Sequence, residues 1–170
     1  MDVSLFRSQL LELFDYDRDS GKLFWKVAKA RIVKIGQEAG TINSKGYRQV
    51  KIDGKKYNAH RLIFLIECGH LPDCLDHVNG IRDDNRIENL RPASHRENSR
   101  NTSKKSSNTS GIVGAYWNKS LSKWQAQCSD RNGKQTHLGL FTDIQAAAEV
   151  VKAFRLREHG EFAVDLREAA

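Results

Sequence analysis

The chain has 170 residues, 39% hydrophobic and 29% charged, which excludes an intrinsically disordered protein and allows one ordinary domain or two small ones. No apolar run reaches the length of a membrane helix. The formal net charge is +7, with 20 basic and 14 acidic residues up to position 110 and 8 and 7 beyond it. Attraction for a polyanion therefore belongs mainly to the first two thirds of the chain.

Residues 3–14 carry Val3, Leu5, Phe6, Leu10, Leu11, Leu13 and Phe14 at near-helical spacing, which predicts a short amphipathic helix. This start lacks the basic and apolar blocks of a signal peptide, so the expected location is the cytosol, a host cytosol if the chain is phage-encoded. Residues 15–21 read as a turn. Their Asp-rich order is not an EF-hand loop, because Lys26 stands where the twelfth, acidic ligand belongs. Residues 22–27 and 39–42 read as strands, and 43–46 as a turn. Residues 47–52 alternate strictly, and Asp53-Gly54 is a two-residue hairpin signal returning through 55–57. Residues 59–67 form an apolar helix closed near Gly69. Within it Arg61 reads as structural and His60 as a capping or packing residue, with DNA phosphate as the alternative contact for the pair.

Three cysteines, Cys68, Cys74 and Cys128, make no disulfide framework. The spacing of Cys68, His70, Cys74 and His77 matches no common zinc module, so the thiols read as small semi-buried side chains.

Residues 75–100 organise the rest. Asp76 and His77 end a short apolar run, Asn79-Gly80 is a strong turn signal, and residues 82–86 form a polar loop. A second extended piece runs through Ile87 to Arg91 and is stopped by Pro92. Ser94 with Glu97 reads as a capping box, opening a helix that carries Asn98. The predicted order is strand, loop, strand, helix. Asp76 and Asn98 are hard oxygen donors of the kind magnesium takes in small number. His77 titrates near neutrality and can accept a proton from an attacking water. Asn89 offers an amide oxygen to hold its ring.

This stretch resembles the HNH (ββα-metal) nuclease motif, in the variant of phage and intron homing endonucleases. The matching elements are DH-x-[ND]-G, DN-R-x-x-NLR and a helix ending in EN. The resemblance implies that a divalent metal sits on Asp76 and Asn98, that His77 is the general base, and that Asn89 orients it. The third HNH position is Asn98 rather than His, which leaves Mg2+ or Mn2+ open. The segment GYRQVKIDGKKYNAHRLIF is similar to the one preceding the core in that family, where its helix backs the catalytic unit.

Residues 99–110 contain no apolar side chain and read as a linker, with Arg100, Lys104 and Lys105 placed to follow a phosphate backbone. Beyond it, strands are expected at 112–117, 123–128 and 134–140, with Asn132-Gly133 as a hairpin turn. A helix follows, capped by Thr142 with Gln145, striped by Ile144, Ala147, Ala148, Val151 and Phe154, and ended by Gly160. Alternation puts Val113, Ala115, Trp117, Gln125, Gln127, Ser129, Gln135 and His137 on the sheet face away from the helix. Such a face can read base edges with its glutamines. The candidate DNA contacts are Trp117, Lys119, Lys123, Gln125, Gln127, Gln135 and His137. The elements KW-x-A, HLG-x-F and HG-x-x-A resemble the Apetala-two DNA-binding domain. Arg residues make most base contacts in its plant members. Val113, Ala115 and Gln125 stand in comparable places here, so no target sequence carries over.

The expected fold is α+β: a nuclease domain over 1–98 with its ββα-metal core at 57–98 and a β-rich region before it, a basic linker over 99–110, a three-stranded antiparallel sheet with one helix over 111–163, and a tail over 164–170. The expected activity is metal-dependent hydrolysis of phosphodiester bonds in double-stranded DNA, with no membrane and no protein partner. The alternative is a non-catalytic DNA-binding regulator with a degenerate HNH core.

Overall fold

A computed structural model describes residues 2–28, 33–100, 108–160 and 163, the side chains at positions 96, 99 and 100 excepted. The chain divides into two units, residues 1–95 and 96–170. Among the described residues they hold four α-helices and several small antiparallel sheets, an α+β arrangement. Among the described residues no helix is long and apolar enough to cross a membrane.

In the first unit helix α1 (Val3–Leu13) starts where the Asp2 carboxylate accepts from Ser4 N, and it buries Phe6, Leu10 and Leu13. The chain then pairs β1 (Phe14–Asp17) with β2 (Lys22–Trp25) as a hairpin, with Phe14 opposite Trp25 and Asp17 opposite Lys22. Residues 15–17 are thus strand where the sequence reads as turn. Their alternate side chains pack, Phe14 on the core and Tyr16 partly buried against it. A second sheet takes β3 (Thr41–Ile42), β4 (Arg48–Ile52) and β5 (Lys55–Asn58) in that order. Asp53 and Gly54 turn β4 into β5 with φ of 47° and 82°, as a primed hairpin turn requires.

Helix α2 (Ala59–Cys68) is buried on nearly every side, with Leu62, Ile63 and Leu65 at 2% exposure or less. Each such side chain contributes about 1.5–3 kcal/mol of burial free energy, so α2 is the spine of the unit. Gly69 closes it in the left-handed region, and Arg7 donates to the carbonyls of Leu65 and Ile66. Beyond α2 a two-stranded ribbon forms from β6 (Cys74–His77) and β7 (Leu90–Ala93). A short 3-10 turn at Ile87–Asn89 leads into β7. Pro92 does not stop the strand as expected: it sits opposite Leu75 inside β7. A two-stranded ribbon has an outer edge on each strand, where a missing N–H breaks no ladder bond. Helix α3 (His95–Arg100) begins directly after Ser94.

The second unit pairs β8 (Ala115–Asn118), β9 (Lys123–Ser129) and β10 (Gln135–Phe141) in the order β10-β9-β8. Helix α4 (Ile144–His159) covers one face. Its cap is Asp143, accepting from Ala146 N, one residue beyond the expected Thr142. Ala115, Ala126, Cys128, Ala147, Val151 and Phe154 form the core. The layers approach closely: a Cβ on Gly114 would lie 2.8 Å from Cys128 Sγ and 3.0 Å from Val151 Cγ1.

The predicted outer face of β8 is one residue out of phase. Ala115 pairs with Ala126 and is buried, and Trp117 pairs with Trp124 on the helix side, the two rings 5.2 Å apart. Tyr116 and Asn118 point outward instead. Register follows the buried set, and the small alanines facing Ala147 are that set.

Candidate active site

Strand β6 delivers Asp76 and His77 side by side, both at 4% exposure. Directly across the ribbon from Asp76 stands Arg91. Its Nε and Nη2 donate to Asp76 Oδ2 at 3.0 and 2.8 Å. A carboxylate so deeply placed needs a cation or several donors, and Arg91 is one whose own side chain is only 12% exposed.

The ring of His77 is fixed by Asn85, which is 1% exposed. His77 Nε2 lies 3.1 Å from Asn85 Oδ1. Asn85 Nδ2 donates to the carbonyl of Asp83 at 3.2 Å, which settles which end of the amide faces the ring. An amide oxygen only accepts, so Nε2 carries the proton and Nδ1 holds the basic lone pair. Burial pushes the His77 pKa below 6.5, partly offset by the Asn85 bond and by the charges of Asp76 and Asp84. The ring is therefore neutral, and able to accept a proton, at neutral pH.

Asn89 does not orient the ring directly, contrary to the expectation. Its Oδ1 accepts from Asn79 N at 2.9 Å, and its Nδ2 donates to Asn79 Oδ1 at 3.0 Å and to the carbonyl of Asp84 at 2.7 Å. Those bonds use up the amide. They tie the two ends of the loop together, and Val78 N adds a bond to the Asn89 carbonyl. Asn79 Nδ2 donates to Asp84 at 2.6 Å, and Arg86 grips the same carboxylate at 2.8 and 2.7 Å. The Arg86 bonds and that from Asn79 hold the Asp84 pKa down to about 2. From the neighbouring sheet Arg48 forks onto Asp83, Nε and Nη2 each at 2.9 Å, and pairs with Glu38 at 2.9 Å. Tyr16 of β1 bonds the same loop: its hydroxyl donates to the Asn85 carbonyl at 3.2 Å and accepts from Ile87 N at 2.9 Å.

His60 of α2 packs edge-on against His77, ring centres 5.0 Å apart at 83°, and Arg61 bonds the carbonyls of Pro72 and Asp73. Both are structural, as the sequence favours. Burial, then the charges of His77 and Arg61, drop the His60 pKa from 6.5 to about 3. A depressed pKa means that the unfolded chain binds the proton more readily. The stabilisation is complete above pH 6.5 and is lost as pH falls through about 3. His60→Phe should therefore flatten the acid limb. The loss of stability on going from neutrality to about pH 4.5, read from urea midpoints, should shrink by about 2 kcal/mol.

The remaining candidates fall into three groups. Asn98 lies half-buried on α3, in the second of the two units. Lys104, Lys105 and the Arg100 side chain lie outside the described residues. On the second unit's open sheet face the glutamines form a chain of amides. Tyr116 donates to Gln127, Gln127 to Gln135, and Asn118 to Gln125, whose Nε2 lies 3.5 Å from His137 Nδ1. Lys123 is exposed beside them and Lys119 is exposed in the preceding turn, whereas Trp117 faces the other way. Among the described residues no three His, Cys, Asp or Glu side chains gather as a metal-binding group.

Sequence reading missed Asn85, Arg91 and Tyr16. Asn85 and Arg91 stood inside the motif, and the direct opposition of positions 76 and 91 followed from any strand pairing centred on the loop. Nothing local singled out Tyr16.

An HNH endonuclease family model matches residues 57–100, the stretch holding Asp76, His77, Asn85, Asn89, Arg91 and Asn98. Protein 3.8 of Escherichia phage T7 is 33% identical to the chain over 89 residues, which span 52% of this chain and 72% of that protein. No solved structure matches.

Proposed function

Since the chain belongs to the family of Protein 3.8 of Escherichia phage T7 and carries an HNH endonuclease region, we propose that it hydrolyses phosphodiester bonds of double-stranded DNA with His77 as general base. The observation that carries this reading is the imidazole of His77, neutral, locked by Asn85 in the tautomer that leaves Nδ1 basic, and adjacent to a buried carboxylate. Nδ1 takes the proton of the attacking water. Asn89 acts one step removed, by closing the loop that holds Asn85.

Asp76 and Asn98 would hold the divalent cation, Mg2+ or Mn2+, that this reading calls for. Their chemistry fits: one carboxylate and one amide oxygen, hard donors for a hard ion. When bound, such an ion supplies charge stabilisation at the leaving oxygen and the crowded phosphorus. Phage or intron homing function, and DNA reading by the amide face of the second unit in the manner of an Apetala-two domain, are the finer parts of this proposal. The amide face supports the second of them, because glutamine side chains pair with base edges in a groove.

Supercoiled plasmid is the test. Nicking or linearisation with magnesium or manganese, abolished by EDTA, and ends bearing a 5′-phosphate and a 3′-hydroxyl are expected. Tight DNA binding with no cleavage under either metal would make the chain a non-catalytic DNA-binding regulator.

A further inference from the structure

We propose that the β1–β2 hairpin is a positioning clamp for the catalytic imidazole, acting through Tyr16 and Gly21 on the backbone at Asn85. The inference rests on the reading of His77 as the base.

Two independent contacts carry it. One hydroxyl spans residue 86: Tyr16 donates to the Asn85 carbonyl at 3.2 Å and accepts from Ile87 N at 2.9 Å. The hairpin's own turn also presses on those peptides. Gly21 has φ of +70°, and a Cβ there would stand 2.4 Å from Arg86 N and 2.7 Å from the Asn85 carbonyl carbon. No side chain fits without moving the loop. Burial raises the Tyr16 pKa above 10.0, so the hydroxyl stays a donor through the working range.

Asn85 is the link to chemistry. Its backbone is held by the hairpin, its Nδ2 by Asp83, and its Oδ1 holds His77 Nε2. Remove the hydroxyl and the Asn85 carbonyl and Ile87 amide lose their shared partner. The peptide can then rotate, and Oδ1 no longer fixes the proton on Nε2. The fraction of rings with the proton on Nε2 and a basic Nδ1 falls, while the ring and its packing stay in place. The clamp lies 41 residues before the start of the family match at position 57, so it is supplied by sequence outside the HNH region.

The test is Tyr16→Phe in the full chain, which keeps the ring and its packing and deletes one oxygen. Nitrogen-15 NMR of the histidines should show the single Nε2–H tautomer of His77 in the wild type and a mixture in the variant. The kcat for plasmid nicking should fall about ten- to hundredfold, with KM for DNA within about twofold. Gly21→Ala should act in the same direction. An unchanged tautomer together with unchanged kcat overturns the clamp, and so does a rise in KM alone. Should Tyr16→Phe fail to fold, hydrogen exchange of the Ile87 amide in the wild type decides: slow exchange supports the bond to Tyr16, and exchange at the rate of a free loop amide overturns it. A wild-type chain that nicks nothing but whose tautomer still shifts in Tyr16→Phe refutes the nuclease reading and leaves the clamp standing.

Discussion

His77→Ala should lower the rate of plasmid nicking by about 10²–10⁴-fold while DNA affinity stays within about twofold. The size follows from general-base catalysis, which contributes about that much when a positioned side chain takes the proton in the transition state. The specificity follows from burial. His77 is 4% exposed and faces Asn85 and His60 rather than bulk solvent, so it adds little to the surface that attracts the DNA backbone. Asn85→Ala should reproduce part of the loss, because the ring stays but its proton is no longer directed to Nε2. Full nicking by His77→Ala, measured by gel over a time course, would remove the imidazole from the mechanism.

Arg91→Leu should destabilise the fold by about 3–5 kcal/mol, the cost of removing one member of a buried ion pair. Asp76 and Arg91 face each other across the ribbon with side chains 5% and 12% exposed, too dry for water to replace the guanidinium. Arg91→Lys should not restore the loss, since an ammonium cannot present Nε and Nη2 together to one oxygen. The double variant Asp76→Asn with Arg91→Leu should recover most of the stability, because the buried negative charge is gone as well. Urea midpoints in EDTA measure all four proteins. A cost under about 1 kcal/mol for Arg91→Leu, the figure of an exposed pair, would show that the ion pair is wet.

Much of the first unit was legible because its signals are local. Asp53-Gly54 dictates a primed turn whatever surrounds it, and Gly69 ends α2 in the left-handed region by the same logic. The strand, loop, strand, helix order of residues 74–100 followed from turn chemistry and from the spacing of Asp76, His77 and Asn89. What failed was non-local. The Asp-rich run after α1 has turn composition, and only pairing with Leu23 and Phe24 makes it a strand. Alternation along β8 shows which residues share a face, but not which face meets the helix. The alanines opposite Ala147 decide that. The bond from Tyr16 to Asn85 spans 69 residues, and no pattern in either segment points to the other. Asn89 was assigned by the motif to the ring, whereas the loop closes so that its amide is consumed by Asn79 and Asp84.

The Arg48 fork separates two effects of ionic strength. Free charges on a surface are screened over about 10 Å at 0.1 M salt, and DNA affinity falls steeply as counterions compete for the backbone. Arg48 is 14% exposed on its side chain and meets Asp83 through two directed bonds, so dissolved ions screen this pair less than they screen free surface charges. If the chain cleaves DNA as proposed, added salt should therefore weaken its encounter with DNA before it loosens the strut beneath the loop, so nicking lost in concentrated buffer should be lost at capture, as a raised KM with little change in kcat.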